Sequence, residues 1–185
     1  MDSSNELIRD FVNTLHKDPA GDEESLVGPE ELATWLQGRG LLEGGRATAA
    51  EFRRAVELRE SFRQLLLANN GEEVDVGDAC TVLDGITRRG KVELRFKNAI
   101  PRLVPAATGV DGALGALVVA MQQSVAAGTW PRLKACRAHD CEWAFIDEAK
   151  NNSRAWCSMR SCGNREKARQ FRKRHAAETG ARRSV

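Results

Sequence analysis

WCSMRSCGNREKARQFRKR, Trp156–Arg174, sets two cysteines with four residues between them at the head of a strongly basic segment. After Gly163 the stretch holds neither glycine nor proline, so nothing interrupts a helix that starts near Cys162. A second pair lies upstream, and the full spacing is Cys136-x4-Cys141-x15-Cys157-x4-Cys162. Two close thiol pairs joined by a longer loop are how a chain supplies four soft ligands to one tetrahedral ion. The segment around them has few aliphatic residues and cannot bury enough surface to fold unaided. Structural zinc binds with roughly 10–16 kcal/mol, enough to order it. Disulfides, unpaired core cysteines and an iron–sulfur cluster are the other readings of four cysteines; a structural Zn2+ site is the one expected here. His139, inside the first pair, would substitute as a ligand or sit at the tip of the knuckle, and the tip is expected. Cys80 stands alone and is expected in the core.

"CEWAF" (141–145) alternates outward from Cys141, which predicts a strand leaving the first knuckle. A thiolate at Cys162 would be favoured by the dipole of the helix that begins there. The order of knuckle, strand, second turn and helix is that of a treble-clef-like finger. Metal at the head of the helix would fix the direction in which it presents its basic residues.

Upstream the pattern is helical. Leu7, Ile8, Phe11, Val12 and Leu15 recur at helical spacing. "DPAGDEESLVG" reads as a loop. Pro29 opens a short second helix ending near Gly38. Thr48 with Glu51 forms a capping-box pattern ahead of a long third helix, whose inner side would be Phe52, Val56, Arg59, Phe62 and Leu66. A fourth, weaker helix carries Cys80, Leu83 and Ile86 inward. Val92, Leu94 and Phe96 then alternate with charged residues, a strand whose partner lies near Arg102–Pro105, and a last apolar stripe runs from Leu114 to Val125. The expected fold is mainly α with a small β-hairpin: a helical N-terminal domain over residues 1–130 and a treble-clef-like finger over 131–185.

"CGNR", preceded by "WCSM" and followed by a basic helix, resembles the CGNR zinc finger. "DFVNTL" (10–15), "LRESFRQLLLA" (58–68) and the hairpin resemble the ABATE domain that precedes that finger, and together the two likenesses span nearly the whole chain. The finger pattern F-x-D-x3-N-x-S-R-x-W-C-S-M-x2-C-G-N-R-x-K is long and specific. Ile146, Ala149 and Lys150 stand where the family pattern has Tyr, Ser and Arg. The resemblance implies a bacterial stress-induced transcription regulator that binds DNA, with Cys136, Cys141, Cys157 and Cys162 as metal ligands and Gly163, Asn164 and Arg165 as the signature.

Charge agrees with a polyanion partner. Residues 1–131 carry 14 Lys and Arg against 20 Asp and Glu, a net of −6, whereas residues 132–185 carry 14 against 6, a net of +8. Arg154, Arg160, Arg165, Lys167, Arg169, Arg172 and Lys173 are candidates for phosphate contact, and Arg165 and Asn164 for reading guanine and adenine edges. RNA, or a merely solvated basic helix, would account for the same composition. Asn13, Thr14 and Arg59 would line a polar pocket for a small-molecule effector; the alternative is that Arg59 pairs with a buried carboxylate. The body would sense that effector or mediate oligomerisation, with a homodimer the simplest assembly. The acidic amphipathic N-terminus is no secretory signal, and "GALGALVVAM" is too short to span a bilayer, so a cytoplasmic protein without a membrane partner is expected. No Gly-rich phosphate loop, His–carboxylate metal motif or nucleophile–base pair is present, which argues against an enzyme. The second functional reading is an adaptor whose finger docks an acidic protein.

Overall fold

In a computed structural model, residues 3–182 are described, with side chains through Arg174. The helices are α1 (Ser3–Val12), α2 (Pro29–Gly38), α3 (Ala49–Asn69), α4 (Gly77–Arg89), α5 (Gly109–Ala126) and α6 (Asn164–Arg182). Three antiparallel pairs join them: β1 (Leu15–His16) with β2 (Glu23–Glu24), β3 (Val92–Lys97) with β4 (Ile100–Pro105), and β5 (Leu133–Ala135) with β6 (Ala144–Ile146). This is the mainly helical body with small hairpins and a C-terminal finger that the pattern predicts.

Local chemistry sets the element ends. The Thr48 hydroxyl accepts from the Glu51 amide, and the Glu51 carboxylate accepts from the Thr48 amide at 2.7 Å, so both halves of the capping box form. α1 stops at Val12, earlier than its apolar spacing predicts. Leu15 pairs with Glu24 instead, which turns part of the expected loop into a two-residue ladder.

The core gathers Ile8, Phe11, Leu36, Leu58, Phe62, Leu66, Leu114 and Leu117, with Phe11 stacked between Trp35 (5.2 Å, tilted) and Phe62 (6.4 Å, edge-on). Trp35 and Trp130 pack against this cluster, as their sequence context predicts. Cys80 does not enter it: the thiol is exposed and Ala79 is buried in its place. The inner stripe of α4 runs Ala79, Val82, Leu83, Ile86 and on to Gly90, so Leu83 and Ile86 face inward as predicted while Cys80, about 100° round the helix from Ala79, faces solvent. Gly90 lies against Gly115 of α5 so closely that a Cβ would sit 2.9 Å from the Gly115 Cα, and this contact seats the start of the β3–β4 hairpin on α5.

The chain passes from helices to finger at a tight turn, Trp130–Arg132. Leu133, Ala135 and Ala144 of the finger hairpin are buried in the same apolar cluster as the helices. A second, smaller cluster holds Cys136, Cys141, Cys162, Ala138 and Phe145. No helix among the described residues is long and apolar enough to cross a membrane.

Candidate metal centre

β5 delivers Cys136 into a tight knuckle. The Cys136 amide donates to Trp143 O (3.0 Å), and the Cys141 and Glu142 amides both donate to Ala138 O, with Glu142 at φ +47. β6 leads away, and the loop that follows is folded around one buried ion pair. Lys134 Nζ donates to Asp147 (2.8 Å) and to Asn152 O (2.7 Å), while Asp147 accepts from the Ala149 and Arg154 amides. Burial would raise the Asp147 carboxyl, but the Lys134 ammonium and the two amides outweigh it and hold it below its ordinary value. The loop so held brings Ala155 O to the Arg137 amide (3.1 Å) and places Cys157 opposite the knuckle.

Ser158 caps the next turn by accepting from the Ser161 amide. Met159–Gly163 is a wide π-type turn, closed by Gly163 N donating to Ser158 O (3.1 Å), and α6 continues from it. A Cβ at Gly163 would come 2.5 Å from the sulfur of Met159, an exposed and flexible side chain that would have to move aside. Asn164 donates from Nδ2 to Arg160 O (3.2 Å), tying the turn to the helix.

The four sulfurs, three of them on buried residues, lie within 4.8 Å of one another, with Cys157 Sγ 3.6 Å from Cys141 Sγ and 3.7 Å from Cys162 Sγ. Four Zn–S bonds of about 2.3 Å in a tetrahedron separate the sulfurs by about 3.8 Å, so the spacing fits a single ion. It is far beyond the roughly 2 Å of a disulfide, and all five cysteines are free. The thiols compete for negative charge: hydrogen bonds from Cys141 and Cys157 lower Cys136, and donating to Cys136 raises both of them. A divalent cation at the centre lets all four ionise. His139 is exposed at the knuckle tip.

The basic residues divide into two groups. Arg165 donates to Asp140 in the first knuckle (2.9 Å) and to Cys162 Sγ (3.6 Å), and Arg169 pairs with Asp140 (3.4 Å) and Glu166 (3.3 Å). Arg154 donates to Cys157 O (2.7 Å) with its guanidinium 4.9 Å from the Phe145 ring. These three brace the sulfur cluster. Arg160, Lys167, Arg172 and Lys173 are exposed, and among the described residues none of them joins an ion pair.

Side chains that the sequence marked only weakly weld the finger to the helices. Asn13 forms a two-way amide pair with Ala144, donating to its O (2.9 Å) and accepting from its N (2.8 Å). At the end of α3, Asn69 Nδ2 donates to Trp130 O and Leu133 O, and Asn70 Nδ2 donates to Ala135 O (2.7 Å) and Ala155 O (2.8 Å). Buried Arg63 donates to Val12 O and to Glu142 O. Nothing in the spacing of "NNG" distinguishes these clamps from an ordinary helix stop. Arg59 is buried on Glu24, Glu60 and the Thr14 hydroxyl. Asn13 alone of the three effector candidates lines a described cavity, one of about 640 Å³ bounded by Arg9, Asp10, Arg39, Trp143 and Glu148, where α1 meets β6.

Comparison with known families gives two matches. A model described as "Putative stress-induced transcription regulator", ABATE, covers residues 5–139, more than half of the chain. A model described as "CGNR zinc finger" covers residues 132–175. The two share residues 132–139, which are β5 and most of the first knuckle. No curated protein matches the chain.

Proposed function

The chain belongs to the ABATE family and carries a CGNR zinc finger, and from that premise we propose that it is a transcription regulator whose Zn2+-bound finger sets a basic helix against DNA. The observation that carries this reading is the placement of four clustered sulfurs directly at the head of α6. Zinc bound there neutralises the thiolates and locks the Met159–Gly163 turn. Arg165 and Arg169 then hold α6 to the knuckle through Asp140, leaving Arg160, Lys167, Arg172 and Lys173 for phosphates. In this division Arg165 is a positioning residue, and base reading falls to Asn164 or to side chains further along the helix. Neither matched family is an enzyme family.

The cavity between α1 and β6 is the place where a small-molecule effector would act on the finger, because its wall includes both Asn13 and the strand that Asn13 holds. Metal analysis of the natively purified protein should return one zinc per chain. Fluorescence anisotropy on random-sequence duplex DNA should then show salt-sensitive binding that falls when Lys167, Arg172 and Lys173 are changed to Ala. Absence of metal, or unchanged binding by that variant, defeats the proposal.

A further inference from the structure

The body is acidic as a whole, yet one element of it is strongly basic. Residues 88–103 hold Arg88, Arg89, Lys91, Arg95, Lys97 and Arg102 against Glu93 alone, a net of +5 inside a segment whose total is −6. These residues end α4 and build the β3–β4 ribbon. The register pairs Val92 with Pro105, Leu94 with Leu103 and Phe96 with Pro101 on one face, and Glu93 with Val104, Arg95 with Arg102 and Lys97 with Ile100 on the other. One face is therefore apolar, and the other is basic through Arg95, Lys97 and Arg102, which stand beside Glu93, Val104 and Ile100.

Neither face is explained by the fold. The base of the ribbon reaches the body, where Val92 and Pro105 lie beside Gly115 of α5 and Leu103 and Val104 are half-buried. Beyond it Leu94 is 57% and Phe96 69% exposed. On the basic face Arg95 lies directly across from Arg102, an arrangement of like charges that destabilises a two-stranded ribbon, and Arg95 has only exposed Glu93 to offset it. The attraction of a closely apposed polyanion for both guanidinium groups outweighs that repulsion. The geometry points to the β3–β4 ribbon as a second nucleic-acid contact, its basic face following a duplex DNA backbone through Arg95, Lys97 and Arg102. Two-stranded ribbons fit DNA grooves, and Arg and Lys on phosphates supply most of the sequence-independent affinity. This site takes its ligand class from the regulator reading but is independent of the finger.

The test uses the full-length zinc-loaded protein, random-sequence duplex DNA and a salt series. Changing Arg95, Lys97 and Arg102 together to Ala should reduce affinity at about 0.1 M salt by ten-fold or more and lower the log–log salt slope by about 2–3. Phe96→Ser, on the opposite face, serves as the control: affinity and slope should stay as in wild type, and a loss of binding there overturns the assignment of the contact to the basic face. Arg95→Gln with Arg102→Gln guards against mere unfolding: it should raise the thermal midpoint by removing the repulsion while weakening DNA binding. If both basic-face variants bind as wild type while the Lys167, Arg172 and Lys173 variant loses binding, the ribbon site is overturned and the finger reading stands. If only the basic-face variants lose binding, the ribbon stands and the finger reading falls. Retention on phosphatidylglycerol vesicles rather than DNA, or tighter binding to single-stranded RNA than to duplex, overturns the DNA assignment.

Discussion

Lys134 and Asp147 illustrate how one residue pair governs a whole loop. Both are almost fully buried, and together they bind the Ala149 and Arg154 amides and the Asn152 and Arg154 carbonyls, while Arg132 adds bonds to Asp147 O and Ala149 O. Asp147→Asn leaves the Lys134 ammonium buried without its counter-charge, so the finger should lose about 3–5 kcal/mol, read as a lower urea midpoint. Replacing both by apolar residues of similar size should recover much of that loss. Asn70→Ala is the companion case at the body's edge. It strips hydrogen bonds from two carbonyls on different finger segments and should cost about 1–3 kcal/mol, with faster hydrogen exchange confined to residues 133–157. Unchanged exchange there would show that Asn70 is not the clamp.

Among the elements, the β3–β4 ribbon and the Met159–Gly163 turn show opposite uses of backbone strain. The ribbon turns through Asn98 (φ +52) and Ala99 (φ +61), left-handed conformations that suit asparagine but penalise alanine. Ala99→Gly should stabilise the protein by about 1 kcal/mol, measured as a rise in thermal midpoint, provided the relief exceeds the entropy glycine adds to the unfolded chain. Gly163 has no such torsional role; Met159 folds over it and would have to shift to admit a larger residue. Gly163→Ala therefore tests packing, and a loss of zinc affinity without a loss of helicity in the body is the expected result. A fall in body helicity instead would mean that the turn supports more than the finger.

At the scale of the whole molecule, the carboxylates that join elements should set its acid limit. Burial raises Asp10, Glu60 and Asp147, but their partners Arg39 and Arg9, Arg63 and Arg59, and Lys134 lower each below its ordinary value. A lowered folded-state value means stability that is fully present above the unfolded values of 3.8 and 4.5 and is lost as pH falls through the folded ones. Urea midpoints should thus be level from neutrality to about pH 5 and drop steeply below about pH 4, and Glu60→Gln should flatten the drop. The residues shared by the two family matches, 132–139, agree with a finger hairpin that completes the helical core while it supplies the first two sulfurs' knuckle.

The double cysteine pair, the capping box at Thr48 and the period-2 run at Val92–Phe96 were legible in the chain because each is a short-range pattern whose chemistry is carried by neighbouring residues. The fold class and the composition of the candidate metal centre follow from such patterns alone. Cys80 was misplaced because neighbouring positions on a helix point about 100° apart, and only packing against α3 and α5 decides whether Ala79 or Cys80 turns inward beside Leu83 and Ile86. The same holds for Asn13, Asn69, Asn70, Arg63 and Asp140. Their roles depend on which carbonyl or guanidinium arrives opposite them from up to 131 residues away. No local spacing encodes such an arrival, so the set of the finger against the helices, and which arginines remain free, belonged to the tertiary structure.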